Sequence, residues 1–193
     1  MVFRSLRFRL LALWFVLLLS AAATAFLLVS FFKETATAQV DRAEERTAQS
    51  CRAIAERYAF FSSGWSGPGR EGFTPEMRAQ LTNVVQAALS NATSIEGGVW
   101  QAAAGSLAYA YPTYEGTGPK TDLPAAEYKS IQQVNSTANA DGRITTTLRS
   151  SNSQVLVLQA CPLPGPISGL TGWAMTRVYT GASEGYQIGR AHV

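Results

Sequence analysis

The feature that most constrains this chain is an uncharged apolar run near its N-terminus. No charged residue occurs between Leu10 and Phe32. At 1.5 Å per residue, a helix of this length crosses a hydrocarbon core about 30 Å thick. A helix also satisfies its own backbone polar groups, as a single span in lipid must. We therefore predict a transmembrane helix over residues 10–32.

The charges that flank this run predict its orientation. Arg4, Arg7 and Arg9 precede it, whereas Lys33 and Glu34 follow it and cancel. The positive-inside rule then keeps residues 1–9 in the cytoplasm and exports the remainder.

A cleaved signal peptide is the competing interpretation of the same run. Leu10 to Leu19 would be its apolar region, and Ala23-Thr24-Ala25 has the small-x-small form of a cleavage site. Strong hydrophobicity resumes from Phe26 to Phe32, which favours a retained anchor of full thickness. Both interpretations export the rest of the chain.

The exported part has the size of one domain with its own core. The formal charge of +3 equals the contribution of the three leading arginines, so this part is close to neutral and no nucleic-acid partner is expected. Cys51 and Cys161 would lie in a compartment that permits disulfides. A disulfide and two buried free thiols both remain open, because the sequence does not give their distance.

The last six residues, 188–193, match the translation of a common short-read sequencing adapter, and the preceding Gln187 codon fits the junction. We expect this tail to be non-native and the chain to be the front part of a longer protein, so the tail is excluded from fold reasoning. The single histidine, His192, lies in the tail and is assigned no role.

Residues 33–62 predict a long juxtamembrane helix into which the transmembrane helix continues, since no Gly or Pro interrupts Glu34 to Phe61. Apolar and small residues recur on one stripe of this helix: Val40, Thr47, Cys51, Ile54, Tyr58 and Phe61. The stripe can pack on the domain's own sheet or on the same helix of a second subunit. The low apolarity of its first half favours a homodimer.

The remaining pattern predicts two helices and five strands. One helix starts at Thr74-Pro75-Glu76 and runs to about Ser90, with a buried face of Met77, Leu81, Val84, Val85 and Leu89. A short helix follows over 124–133, and strands are predicted over 94–100, 106–111, 143–149, 154–160 and 172–179. The expected fold is α+β, with a five-stranded antiparallel sheet covered on one side by helices.

Aromatic residues around the first two strands are the main candidates for a ligand site. Alternation sends Tyr109 and Tyr111 to one face, where they would either line a small-molecule pocket or form core. Lys120 and Arg143 could bind an anionic ligand. The predicted binding residues are Trp100, Tyr109, Tyr111, Tyr114 and Lys120. The pair Gly97-Gly98 indicates either a close ligand approach or a bulge.

The acidic residues give no signature of catalysis. Glu96, Glu115, Asp122 and Glu127 fit no metal or acid–base spacing, and we expect solvated or loop-capping roles for them. No catalytic residue, metal ligand or cofactor is therefore predicted in this fragment.

Four runs carry a resemblance to a known family: CRAIAERYAFF, EGGVW, LAYAYPTYEGTGPKTDLPAAE and VLVLQACPLPGPISGLTGWAMTRV. They are similar to the N-terminal sensory regions of bacterial two-component sensor histidine kinases, and the exported domain resembles the PAS-like or single-Cache class. The resemblance implies an inner-membrane protein with a periplasmic sensor domain over residues 63–187 that responds to an unidentified small solute.

The same resemblance implies a kinase core beyond the present chain, with ATP and Mg²⁺, which would phosphorylate a cytoplasmic response regulator. The fragment itself would be non-catalytic. The alternative function is an anchored or secreted envelope binding domain, such as a chemoreceptor front end, without kinase output.

Overall fold

Helix α1 spans Leu6–Ser62 without a break, in agreement with the absence of Gly and Pro from this stretch. The structure is a computed structural model and describes residues 6–64, 72–116, 120–151 and 153–179. The adapter-like tail lies outside the described residues. Within α1, Phe8–Ser30 has a mean hydropathy of 2.4 and is long and apolar enough to cross a membrane. The two helices predicted over 10–32 and 33–62 are therefore parts of one helix.

In the described part of the chain, five strands form one antiparallel sheet. They are β1 (Glu96–Gln101), β2 (Gly105–Ala110), β3 (Thr145–Ser150), β4 (Gln154–Pro162) and β5 (Leu170–Tyr179). The order across the sheet is β2-β1-β5-β4-β3, so β5 lies at its centre. The predicted α+β class and antiparallel sheet are confirmed.

Two further helices have identifiable ends. Helix α2 (Pro75–Leu89) begins at the predicted N-cap, where the Thr74 hydroxyl accepts a hydrogen bond from the Met77 N–H at 3.3 Å. Helix α3 (Tyr128–Asp141) begins later and ends later than the predicted 124–133. Pro124 to Glu127 forms a turn instead, and Gly142, at φ 62°, stops the helix.

Helices cover both faces of the sheet, so the expected one-sided cover is wrong. Residues of α1 and α2 pack on one face with Val99, Leu170 and Ala174. Helix α3 packs on the opposite face with Trp173 and Met175. Because successive residues of central β5 are apolar on both faces, each face needs a covering layer.

The apolar stripe of α1 packs on the domain's own sheet from Ala43 onward. Ala43 forms a core cluster with Val157 and Val178, and the farther positions Ile54 and Tyr58 belong to the core that α1 shares with α2. All of them are buried. For this part of the stripe, the partner within the chain is the sheet.

A disulfide joins Cys51 of α1 to Cys161 of β4, with their Cα atoms 6.1 Å apart. Both residues are buried. The alternative of two free thiols is therefore wrong, and α1 is covalently attached to the sheet that it covers.

Gly97 and Gly98 make room for neighbouring protein atoms. A Cβ on Gly98 would lie 2.3 Å from the Ala108 carbonyl oxygen and 2.8 Å from the Trp173 indole nitrogen. The bulge in β1 lies between Val99 and Trp100 instead. The pair is thus explained by close packing against β2 and Trp173.

The disulfide should contribute substantially to stability. It closes a loop with a sequence separation of 110, and loss of such a cross-link costs roughly 2–5 kcal/mol. We expect reductant to lower the thermal midpoint of unfolding of the full chain in detergent, as measured by circular dichroism. A Cys51→Ser, Cys161→Ser variant should unfold at the same lowered midpoint, and reductant should not change that midpoint. Equal midpoints with and without reductant, once mass confirms reduction, would contradict this.

Candidate functional site

The site is built around a carboxylate that is buried in the sheet. Glu96 begins β1 and is only 1% exposed. It alternates with Gly98 and Trp100 onto the face covered by α3. The expectation of a solvated or loop-capping role for Glu96 is therefore wrong.

Three side chains donate to this carboxylate. The Tyr109 hydroxyl lies 2.5 Å from Oε2, and the Lys120 ammonium lies 3.1 Å from the same oxygen. Arg177 donates through Nη1 to Oε1 at 2.6 Å. Its Nη2 also pairs with Glu127 Oε1 at 3.0 Å, so Glu127 belongs to the cluster rather than to solvent.

The strand register brings these groups together. Gly98 pairs with Tyr109 across β1 and β2, and Glu96 pairs with Met175 across β1 and β5. Arg177 lies two positions beyond Met175 on the same face of β5. The Tyr109 ring stacks on Trp173, with centroids 6.1 Å apart, which holds the phenol over the carboxylate.

The cluster is neutral, with two carboxylates and two cations. A carboxylate this deeply buried is tolerated because it is paired and hydrogen-bonded. Burial and the hydrogen bond to Glu96 raise the pKa of Tyr109 well above its ordinary value of 10.0. Burial would lower the pKa of Arg177, but its bonds to Glu96 and Glu127 outweigh that effect and raise it.

Beside this cluster is an open cleft of about 700 Å³, bordered by α2, β2 and the segment after β2. Four of the five predicted binding residues line it, namely Tyr109, Tyr111, Tyr114 and Lys120. The Tyr111 and Tyr114 rings are 5.4 Å apart. The Lys120 ammonium lies 5.3 Å and 5.9 Å from their respective centroids.

The other predicted positions are not brought into this cleft. Trp100 is 3% exposed and packs edge-on against Tyr128, with ring centroids 5.4 Å apart. It therefore contributes to the core beneath α3. Arg143 is exposed just after α3 and is not among the residues that line the cleft.

Three charged residues of the cluster, Glu96, Glu127 and Arg177, were missed at the level of sequence, although a signal exists for Glu96 and Arg177. Glu96 alternates with Gly98 and Trp100, and Arg177 alternates with Trp173 and Met175. A charged residue on the apolar face of a strand indicates a buried partner of opposite sign. This pairing rule would have selected Glu96 and Arg177 together.

The cleft combines groups that can donate or accept hydrogen bonds with charged and aromatic groups. Its lining offers phenol hydroxyls, aromatic faces, the Lys120 ammonium and the exposed Asp122 carboxylate, with Thr82 and Gln86 on α2. Among the described residues, no group of three His, Cys, Asp or Glu side chains could hold a metal ion.

A second, smaller cleft of about 340 Å³ lies between α1 and the segment after α2, with Arg46, Gln49 and Asn91 in its wall.

Comparison with known proteins gives no family assignment. No protein-family model matches the chain, and no curated protein matches it significantly.

Removing the charge of Glu96 should destabilise the fold. A Glu96→Gln substitution leaves Lys120 and Arg177 without their central counter-ion, and breaking a buried ion pair costs about 3 kcal/mol or more. We expect a clear loss in the free energy of unfolding, measured by denaturant titration. Glu115→Gln, which alters an exposed acid in the segment after β2, is the matched control and should change stability by less than about 0.5 kcal/mol. Indistinguishable midpoints for the two variants would contradict a stabilising role.

Tyr109 should make stability fall at alkaline pH. Its pKa in the folded protein is raised above the ordinary 10.0. Below pH 10 both states carry the proton, whereas above it the unfolded state releases the proton and the folded state retains it, so stability falls as pH rises. Tyr109→Phe should make the decline between pH 10 and 11 shallower in urea titrations. Tyr179→Phe, at an exposed position, is the control; an unchanged slope in Tyr109→Phe would refute the assignment.

Proposed function

We propose that this chain is the signal-input region of a membrane-anchored receptor of the sensor histidine kinase type. The observation that carries the proposal is the continuity of α1. The helix that contains the apolar stretch Phe8–Ser30 also supplies buried side chains, including Ile54 and Tyr58, to the core of the sheet domain. One element thus serves as both the anchor and a wall of the binding domain.

Two observations support a location of the sheet domain outside the cytoplasm. Arginines 4, 7 and 9 precede the apolar stretch, as expected for a cytoplasmic N-terminus. The Cys51–Cys161 disulfide is typical of exported domains, because the cytosol keeps thiols reduced. Under this proposal the domain lies in the periplasm of a bacterial cell and the anchor in the inner membrane.

The sheet and its cleft support the resemblance to PAS-like and single-Cache sensors. A five-stranded antiparallel sheet with helices on both faces places a cleft beside edge strand β2. Small-molecule sites are concave and carry a few convergent polar groups among aromatic side chains. The cleft with Tyr109, Tyr111 and Lys120 is the proposed solute site.

A solute can act as a signal only if it binds two arrangements of the domain with different affinity. Strand β5 connects the two relevant regions here. Its Arg177 pairs with Glu96 at the site, while the next residue, Val178, belongs to the same core cluster as Ala43 of α1. This adjacency supports a route from the site to the helix.

The proposal includes a homodimer and a kinase core that uses ATP and Mg²⁺ and passes phosphate to a response regulator. From Ala43 onward the buried stripe of α1 faces its own sheet. We therefore assign the homodimer contact to the other side of the helix, where Phe60 is 84% exposed.

The test is the sequence of the intact gene beyond residue 186, together with the N-terminus of the mature protein. We expect a second apolar span, then a helical segment with a phosphoacceptor histidine and an ATP-binding domain, in a protein that retains its first residues. A stop codon or a different output domain would assign the chain to the alternative, an envelope binding domain without kinase output. A mature chain that begins at Phe26 would refute the anchor.

A further inference from the structure

Lys120 occupies a place that has the chemistry of a cation site. Its ammonium contacts the Glu96 carboxylate at 3.1 Å and lies over two aromatic rings, those of Tyr111 and Tyr114. A carboxylate combined with aromatic faces within about 6 Å is the arrangement by which proteins hold organic ammonium groups. The cation in this site is supplied by the chain's own side chain.

We propose that Lys120 is a tethered occupant of this site, and that the ligand of the cleft is a small organic cation whose ammonium group takes its place. The inference deepens the proposed function, on which it rests, by naming the chemical class of the solute. A primary amine on a short alkyl chain reproduces the end of a lysine side chain and is the simplest such ligand.

Charge balance favours a cation over an anion. With Lys120 in place, Glu96 and Glu127 are balanced by Lys120 and Arg177. If Lys120 leaves, the remaining cluster carries one excess negative charge around a buried carboxylate, which must be compensated. An incoming cation restores the charge balance. An anion that draws Lys120 away leaves the negative charge of the cluster uncompensated.

Among the partners of Glu96, Lys120 is the one best placed to leave. Arg177 lies on central strand β5 and bridges two carboxylates through both of its terminal nitrogens. Lys120 pairs with Glu96 from the segment between β2 and α3, and its side chain is 29% exposed. Tyr109 is fixed on β2 by stacking against Trp173.

The cleft gives a ligand access to this position. Lys120, Tyr111 and Tyr114 all line it, and Tyr114 is 45% exposed. With a volume of about 700 Å³, the cleft is within the range of small-molecule sites. A ligand can therefore approach the ammonium position without unfolding of the domain.

The test is binding of n-butylammonium to the full chain in detergent, compared between the wild type and Lys120→Met. Methionine keeps an unbranched apolar side chain but removes the ammonium, so it vacates the site. Because apparent affinity scales with the fraction of protein whose site is free, the variant should bind n-butylammonium about tenfold or more tightly. Calorimetry or the concentration dependence of the thermal midpoint measures this difference.

Three controls keep the test specific. Lys129→Met, at an exposed lysine of α3, should bind n-butylammonium as the wild type does. Adding Tyr114→Leu to Lys120→Met should weaken binding about two- to fivefold, since an exposed cation–π contact is lost. In Lys120→Met, n-butyrate and n-butanol should not compete with n-butylammonium.

Two results would overturn the inference. One is a Lys120→Met variant, folded by circular dichroism, that binds n-butylammonium no better than the wild type. The other is n-butyrate binding to the wild type that disappears in Lys120→Met, which would make Lys120 an anion receptor. Neither result bears on the gene sequence beyond residue 186, so failure of this inference is distinguishable from failure of the proposed function.

Discussion

The buried carboxylate of Glu96 is the interaction on which the arrangement of this domain depends. Its partners come from three separate places: β2, the segment after β2, and β5. Through Arg177 the cluster reaches Glu127, immediately before α3. Apolar burial is non-directional and tolerates sliding, but a carboxylate with short hydrogen bonds does not. The register that places Tyr109 and Arg177 over Glu96 is therefore specified by polar contacts as well as by the core.

Local signals in the sequence predicted most of the helices and strands. What they did not predict depends on contacts between elements. The uninterrupted helix formers of α1, the capping sequence at Thr74 and the alternation in the strands each specify a local conformation. The start of α3 was misplaced because a proline at 124 fits a helix N-terminus and a turn equally well, and a turn forms. Cover on both faces was not predicted, because the alternation within most strands indicates only one apolar face. The second helical layer is required by the central strand β5, which is apolar on both sides.

In the candidate site, too, local patterns predicted the face of a residue but not its contacts with distant parts of the chain. Alternation placed Tyr109 and Tyr111 on one face, which the structure confirms, since both pack in the core cluster that contains Trp173 and Met175. Trp100 lies on that same face but is closed off by Tyr128 and α3. Periodicity reports which face a residue occupies and not what covers that face. Arg177 is 81 positions away from Glu96 in the chain. The cluster could therefore be inferred only by pairing buried charges across the whole sequence.

The disulfide limits how a change at the site could reach α1. Cys51 lies within the buried stripe of the helix, between Ala43 and Tyr58, and is bonded to β4 next to the central strand. A covalent attachment at this point prevents the helix from sliding along the sheet, because Cys161 would have to move with it. The part of α1 before Cys51 meets the sheet in the core cluster of Ala43, Val157 and Val178, and Gln159 Nε2 of β4 donates to the Glu44 carbonyl at 3.1 Å. Under the proposed function, a solute that altered Arg177 would act on this part of α1 through the adjacent Val178, which belongs to that cluster.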